Sequence, residues 1–502
     1  MSRTLGATLL GVDGFAVEVE VRISSQLPRI DIVGLPETAV RESAARVRAA
    51  IAATGHRFPD RRITVSLAPA GLRKAGAGLD LPIAVGILAA ASAIEPSALA
   101  GIAFAGELAL DGRLRPVRGP LALALAARAS GAHAMVLPSE SAPQATLADG
   151  LEVHPAESLG PVIAHLLGAE RLPTAAKPGL TRTEDDDGPC LSEVRGQATA
   201  KRALVVAAAG GHGLLLSGPP GAGKTMLARR LPSLLPALEP SEALEATVVH
   251  GAAGLLEAAH PVVVRRPFRA PHHTASAAGV LGGGTPPRPG EASLAHCGVL
   301  FLDELPEFDR RVLEALREVT EERRIRLSRA SYSCVFPARF QLVGACNPCP
   351  CGWHRSGVRD CRCDDGALAR YRRRLSGPLL DRIDLLVEVQ PVAWSELDAS
   401  SAGQTSRALR GSIEAARRAA NARGVICNAE IVDRGIELAI AATPEARALL
   451  GRAVERLGLS ARGARRAMRV ARTCADLANE TRVQAPAMAE ALTYRSLPDA
   501  QR

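Results

Sequence analysis

The chain has 502 residues, 47% of them hydrophobic and 23% charged, which is the length of about three domains and the balance of a globular rather than a disordered protein. No apolar run approaches the roughly 18 residues of a membrane-spanning helix, and the N-terminus lacks the charged-then-apolar layout of a secretion signal, so a cytoplasmic protein without membrane contact is expected. The net charge of +9 permits contact with a polyanion without establishing it, and ten cysteines, five of them bunched between Cys346 and Cys363, do not resemble a disulfide framework.

Residues 1–168 mix alternating runs, Phe15–Val21 and Ile63–Leu67, with Ala-rich helical segments such as Glu37–Thr54. This pattern predicts an α+β domain. Residues 169–190 are polar, with the acidic run Glu184–Asp187, and read as a linker. Residues 191–393 alternate strand-like and helix-like runs and carry the chemical motifs. Residues 394–502 are rich in Ala, Arg and Leu without a strand candidate, as an all-α lid would be.

Within 191–393, Gly218-Pro219-Pro220-Gly221-Ala222-Gly223-Lys224-Thr225 follows the apolar run Leu214–Leu216 and matches the Walker A pattern. Glycines let such a loop turn its backbone N–H groups onto phosphates. Lys224 is positioned to reach the β- and γ-phosphates and Thr225 to hold magnesium, while a helix over Lys224–Arg230 would add its positive end. The reading is a nucleoside-triphosphate site using ATP and magnesium. Val299–Leu302 followed by Asp303 and Glu304 supplies a buried strand ending in two carboxylates. There Asp303 would hold the magnesium through water and Glu304 would polarise the attacking water. The strand Phe340–Cys346 ends at Asn347, a residue able to orient that water.

Other segments leave two readings each. His272 and His273 lie between Phe268 and a Gly-rich stretch, Gly282–Gly290; adjacent histidines without a third ligand suit an insertion with polar contacts better than a metal site. Arg323, Arg324, Arg326 and Arg329 precede a second strand-like run, so this basic hairpin is either a solvated strand face or an arm that contacts DNA phosphates. Cys349, Cys351, Cys361 and Cys363 form two C-x-C pairs, which suit either a zinc site of four thiolates or plain reduced thiols. Arg382 sits between Asp381 and Asp384, either as a structural ion pair or as an arginine finger for a neighbouring subunit. Arg462 opens an Arg-rich helical segment and could reach nucleotide from the lid, whereas Arg465, Arg466 and Arg469 are expected to face solvent or nucleic acid.

These motifs, with RPFRAPHHTASAAGVLGGG, PGEASLAHCGVLFLDELPEF, NPCPCG, SGPLLDRIDL and LSARGARRAMRVARTCADL, make the chain resemble the magnesium chelatase-like AAA+ family of bacterial competence proteins, the ComM/YifB group. The likeness continues into residues 1–168 through GLPETAVRESAARVRAAI and APAGLRKAGAGLDLPIA. It implies an α/β AAA+ P-loop core with an all-α lid, assembled as a homo-hexamer. Such a ring would load on single-stranded or branched DNA and drive branch migration, with recombination proteins as candidate partners. It also implies roles: Asn347 as sensor 1, Arg382 as finger, Arg462 as sensor 2, 268–290 as the helix-2 insertion and 322–335 as the pre-sensor hairpin. The N-terminal part is similar to the proteolytic domain of Lon, with the ribosomal protein S5 domain 2-like fold. It departs from Lon in that Lys74–Gly78 offers no hydroxyl and Arg118–Leu121 no amine, so proteolysis is not expected. Two rivals remain: a chelatase-type ATPase that remodels a protein partner, and an ATP-gated DNA scaffold that does not translocate.

Overall fold

The computed structural model describes residues 1–179, 188–329, 332–357, 359–375, 380–398 and 403–495. The acidic run 184–187, the hairpin turn 330–331 and the stretch 376–379 ahead of Arg382 lie outside the described residues.

The N-terminal sheet is built from β1 (Ser2–Leu10), β2 (Asp13–Ser24), β3 (Arg29–Val33), β4 (Arg62–Ala68), β5 (Ile102–Phe104), β8 (Ala134–Pro138) and β9 (Glu152–Ala156), in the order β3-β4-β2-β1-β5-β8-β9. The short β6 (Glu107–Leu108) and β7 (Leu114–Arg115) pair separately. The alternation seen in the sequence has its reason here: Val17, Val19 and Val21 of β2 are fully buried, while Glu18 and Glu20 turn outward to Arg3. Helices Ser43–Ala53 and Asp80–Ala90 cover one face and Pro120–Ala129 the other. The helix expected over Glu37–Thr54 forms as two pieces, Thr38–Arg41 and Ser43–Ala53, broken at Glu42. Beside the break, Ser43 donates to the fully buried carboxylate of Asp80. Arg46 Nε (2.6 Å) and the Leu108 N–H (3.2 Å) supply the other bonds that burying this charge requires.

The second sheet comprises β10 (Leu214–Ser217), β11 (Phe268–Arg269), β12 (Val299–Leu302), β15 (Gln341–Cys346) and β16 (Leu385–Glu388), all parallel, in the order β11-β12-β15-β10-β16. Both faces are covered, so the strand interiors Leu214–Leu216, Val299–Leu302 and Leu342–Ala345 are apolar. Leu214, Leu216, Phe301 and Val343 pack towards helix Ala198–Gly210. Leu215, Leu300, Leu302 and Leu342 pack towards helix Arg310–Glu322. A separate antiparallel hairpin joins β13 (Arg324–Arg329) to β14 (Tyr332–Pro337).

The C-terminal part is helical, with Ser406–Ala422, Pro444–Leu457, Ala461–Leu477 and Ala485–Thr493 as its principal helices. Ile413, Ala416, Ala467 and Val470 share one core with Ala203 and Leu204. Buried His212 bridges the two parts, with Nδ1 2.9 Å from Asp384 and Nε2 2.8 Å from Thr473 of the C-terminal helices. Arg465 is exposed, as expected, and bonds Asp433 at 2.6 Å, whereas Arg469 is drawn in against the Ile431 carbonyl (2.8 Å) and the same Asp433 (2.7 Å). Arg466 reaches the Ile383 carbonyl at 3.4 Å and so ties helix Ala461–Leu477 to the segment ahead of β16. The N-terminal part docks on helix Pro240–Ala253 through Gly119 N–H to the Gly251 carbonyl (3.0 Å), and Val12 joins the core of Val249 and of Phe336 in the hairpin. Among the described residues no helix is long and apolar enough to cross a membrane.

Candidate functional site

The order of the parallel sheet sets β15 between β10 and β12, so the three strand ends that carry polar residues open side by side. Ligands gather at such carboxyl ends. After Ser217 the chain turns through Gly218–Gly223. Gly221 and Gly223 have φ of +79° and +90°, a conformation that favours glycine. Gly218 has another reason: a Cβ there would sit 2.1 Å from the Val389 carbonyl oxygen. The helix that follows is only Lys224–Ala228, and the chain restarts at Leu231–Leu234 with Pro232 in its first turn. The helix expected to reach Arg230 is therefore cut short, and the inward N–H groups of the loop, more than a helix dipole, are what an anion would meet.

Lys224 Nζ donates to the carbonyls of Gly218 (2.7 Å) and Pro219 (3.0 Å) and to Asn347 Oδ1 (3.0 Å). These neutral oxygens occupy the donor directions that phosphate oxygens would take. Burial pulls the Lys224 amine below the usual 10.5, opposed by Cys346, Asp303 and Glu304. Thr225 Oγ1 donates to Asp303 Oδ2 at 2.7 Å, so a hydroxyl and a carboxylate face each other where a hard cation takes oxygen ligands. The donor set fits ATP with magnesium. Glu304 has φ of +51° and projects to the cavity rim, where its carboxylate meets His273 Nδ1 at 3.1 Å. Lys224, Thr225, Asp303, Glu304 and Asn347 all line one cavity of about 400 Å³, with Pro220, Gly221 and Gly223 at its wall.

Some residues expected at the site lie elsewhere. Arg382, in the turn Leu380–Arg382, is paired with Glu321 and lines a second cavity on another face, apart from its own chain's P-loop. Arg462 is exposed in the first turn of Ala461–Leu477 and does not line the P-loop cavity. Arg324, Arg326 and Arg329 are exposed on β13, with Arg326 Nε 3.3 Å from Glu322. Arg323 differs: it caps helix Arg310–Glu322 with φ of +58° and its guanidinium is bonded to Glu430 in the C-terminal part. The sulfurs of Cys349, Cys351, Cys361 and Cys363 all fall within 4.8 Å of one another, as free thiols. The His272 and His273 rings lie 4.2 Å apart, but His272 bonds Thr274 (2.8 Å) and His273 bonds Glu304, so the pair shares no ligand point. Nothing in the sequence pattern signals the His273–Glu304 contact.

A five-stranded parallel sheet with these three strand ends, followed by a packed helical part, defines an AAA+ P-loop ATPase. Residues 190–397 match the family model described as magnesium chelatase, subunit ChlI; 19–141 match subunit ChlI of Mg-chelatase; and 403–495 match the C-terminal model of that subunit. Competence protein ComM of Haemophilus influenzae is 43% identical over 492 residues, covering 97% of this chain and 96% of the relative. YifB of Escherichia coli is 42% identical over 493 residues, with the same coverage. An uncharacterized protein of Mycobacterium tuberculosis is 42% identical over 499 residues, covering 99% and 98%. The chain belongs to the magnesium chelatase-like ComM/YifB family, and that family implies ATP hydrolysis with magnesium.

Proposed function

We propose that this protein is a ring-forming, ATP-driven DNA motor that acts as a branch-migration helicase in recombination of incoming DNA during natural transformation. The observation that carries the reading is the pairing of two loops. The hairpin that exposes Arg324, Arg326 and Arg329 is tied to the Gly-rich insertion by Tyr332 Oη donating to the Gly284 carbonyl at 2.6 Å. Guanidinium groups match phosphate oxygens, and this contact is indifferent to sequence, as a motor needs. The competence name of the Haemophilus relative supports the same biological setting. Recombination proteins are the partners to seek, in the cytoplasm.

In hydrolysis, Lys224 and the loop N–H groups hold the β- and γ-phosphates. Glu304, freed from His273, takes a proton from water as the water oxygen bonds to the γ-phosphorus and the bond to the ADP oxygen breaks. Asn347 orients that water. Magnesium, when bound by Thr225 and Asp303, neutralises charge that builds on the phosphate oxygens. Arg382 would serve the cavity of a neighbouring subunit in a hexamer, and Arg462 would reach nucleotide when the lid closes. We divide the chain into a Lon-like domain without the Ser–Lys dyad (1–168), a linker (169–190), the ATPase core (191–393) and the lid (394–502). Cys349, Cys351, Cys361 and Cys363 are assigned to zinc.

The test is ATP hydrolysis with and without single-stranded and branched DNA, beside Lys224→Ala. Strong stimulation by DNA, absent in the variant, is expected and would lead to a branch-migration assay. Hydrolysis indifferent to DNA would favour protein remodelling, and DNA binding without movement of a branch point would favour a scaffold.

A further inference from the structure

The cysteine cluster does not lie apart from the nucleotide cavity. Asn347 directly follows β15, and Cys349 comes two residues later. The Cys349 carbonyl accepts the Gly352 N–H at 2.9 Å, a turn in which Gly352 takes φ of +82°. That turn is pressed onto the P-loop: a Cβ on Gly352 would lie 2.6 Å from Pro220 Cδ. Beyond Cys363 the chain enters helix Asp365–Leu375, whose buried Tyr371 returns its hydroxyl to the Asn347 carbonyl at 3.1 Å. The loop therefore leaves the nucleotide site at Asn347, touches it again at Pro220, and closes on Asn347 through Tyr371.

Among the described residues of 347–364 there is no helix or strand. What crosses this loop is sulfur. Cys349 Sγ lies 3.3 Å from Cys351 Sγ and 3.7 Å from Cys361 Sγ, and the last two are 3.6 Å apart. A tetrahedral zinc with bonds of about 2.3 Å sets its sulfurs about 3.8 Å from each other, close to this spacing. The His354 N–H points at Cys349 Sγ from 3.3 Å, as outer donors do to metal-bound thiolates.

We propose that the zinc held by these four cysteines is a brace on the nucleotide site: it fixes the loop that starts at Asn347 and packs its Gly352 turn on Pro220, and so keeps Lys224 in register for ATP. This rests on the zinc assignment above. Losing the ion frees the Gly352 turn from Pro220 and releases Asn347, which holds Lys224 at 3.0 Å. Metal loading, and with it the oxidation state of the thiols, would then govern ATP affinity.

The experiment uses the full chain purified under reducing conditions with zinc supplied. Elemental analysis should give one zinc ion per chain. A strong chelator should remove it and weaken binding of a fluorescent ATP analogue at least ten-fold, with recovery on adding zinc back. Gly352→Ala should keep its zinc yet weaken nucleotide to a similar degree, and circular dichroism reports whether each form is folded. Absence of zinc from the reduced protein overturns the assignment and the brace together. Zinc removed with ATP affinity unchanged leaves the assignment standing and overturns the brace. If chelation unfolds the chain, Gly352→Ala decides: zinc retained with full ATP affinity overturns the brace.

Discussion

Lys224 shows how one side chain carries both a cost and a use. Its amine is half-buried among carbonyls, and burial lowers its pKa from 10.5 against the raising effect of nearby Cys346, Asp303 and Glu304. Only the protonated amine binds phosphate, so ATP affinity should be full near neutrality and fall as pH rises through the lowered pKa. The unliganded protein moves the opposite way: its folded state releases this proton before the unfolded chain does, so this ionisation favours folding as pH rises through that window. Titrating the ATP dissociation constant from neutral to alkaline pH checks this. Affinity that holds steady up to 10.5 would refute the lowered pKa. The P-loop is legible in the sequence because its eight residues are contiguous and each has a local task. The His273–Glu304 contact is not legible, since it depends on β11 and β12 lying side by side, which no local pattern encodes.

At the scale of the element, the hairpin shows what alternation can and cannot reveal. Ile325 is buried between exposed Arg324 and Arg326, as a strand of period two requires. The expectation of a basic hairpin over these residues thus has a physical ground. Arg323 looks in the sequence like part of the same run, but it closes the last turn of the preceding helix, and the left-handed backbone there sends it to Glu430 instead. Boundaries between helix and strand are where a charge run misleads. Replacing Arg324, Arg326 and Arg329 together by alanine should weaken DNA binding at all sequences alike and reduce the salt slope by about 3, about 1 for each phosphate no longer neutralised. Arg323→Ala should leave that slope in place and instead lower the melting temperature, because Glu430 is left without its guanidinium. Equal salt slopes in the triple variant and the parent would remove the hairpin from the DNA path.

At the scale of the whole molecule, the placement of Arg382 makes a single chain look incomplete. The P-loop cavity supplies lysine, hydroxyl, two carboxylates and Asn347, yet no arginine among the described residues lines it. Arg382 instead lines the other cavity with Glu321, Arg323 and Arg339, its side chain 8% exposed. A head-to-tail ring would bring that face of one subunit to the P-loop of the next, because a heterologous interface joins two different surfaces. Two variants separate this arrangement from an arginine that only stabilises its own chain. Lys224→Ala lacks a working cavity but keeps Arg382, whereas Arg382→Ala keeps the cavity and lacks the arginine. Each alone should hydrolyse ATP poorly. Mixed in equal amounts, roughly a quarter of the interfaces join an intact cavity to an intact arginine, so activity should reappear in the mixture. The recovery should depend on total protein concentration, since it requires assembly. A mixture no more active than its components, at concentrations where subunits exchange, would return Arg382 to the ion pair with Glu321 and remove it from the proposed contact between subunits.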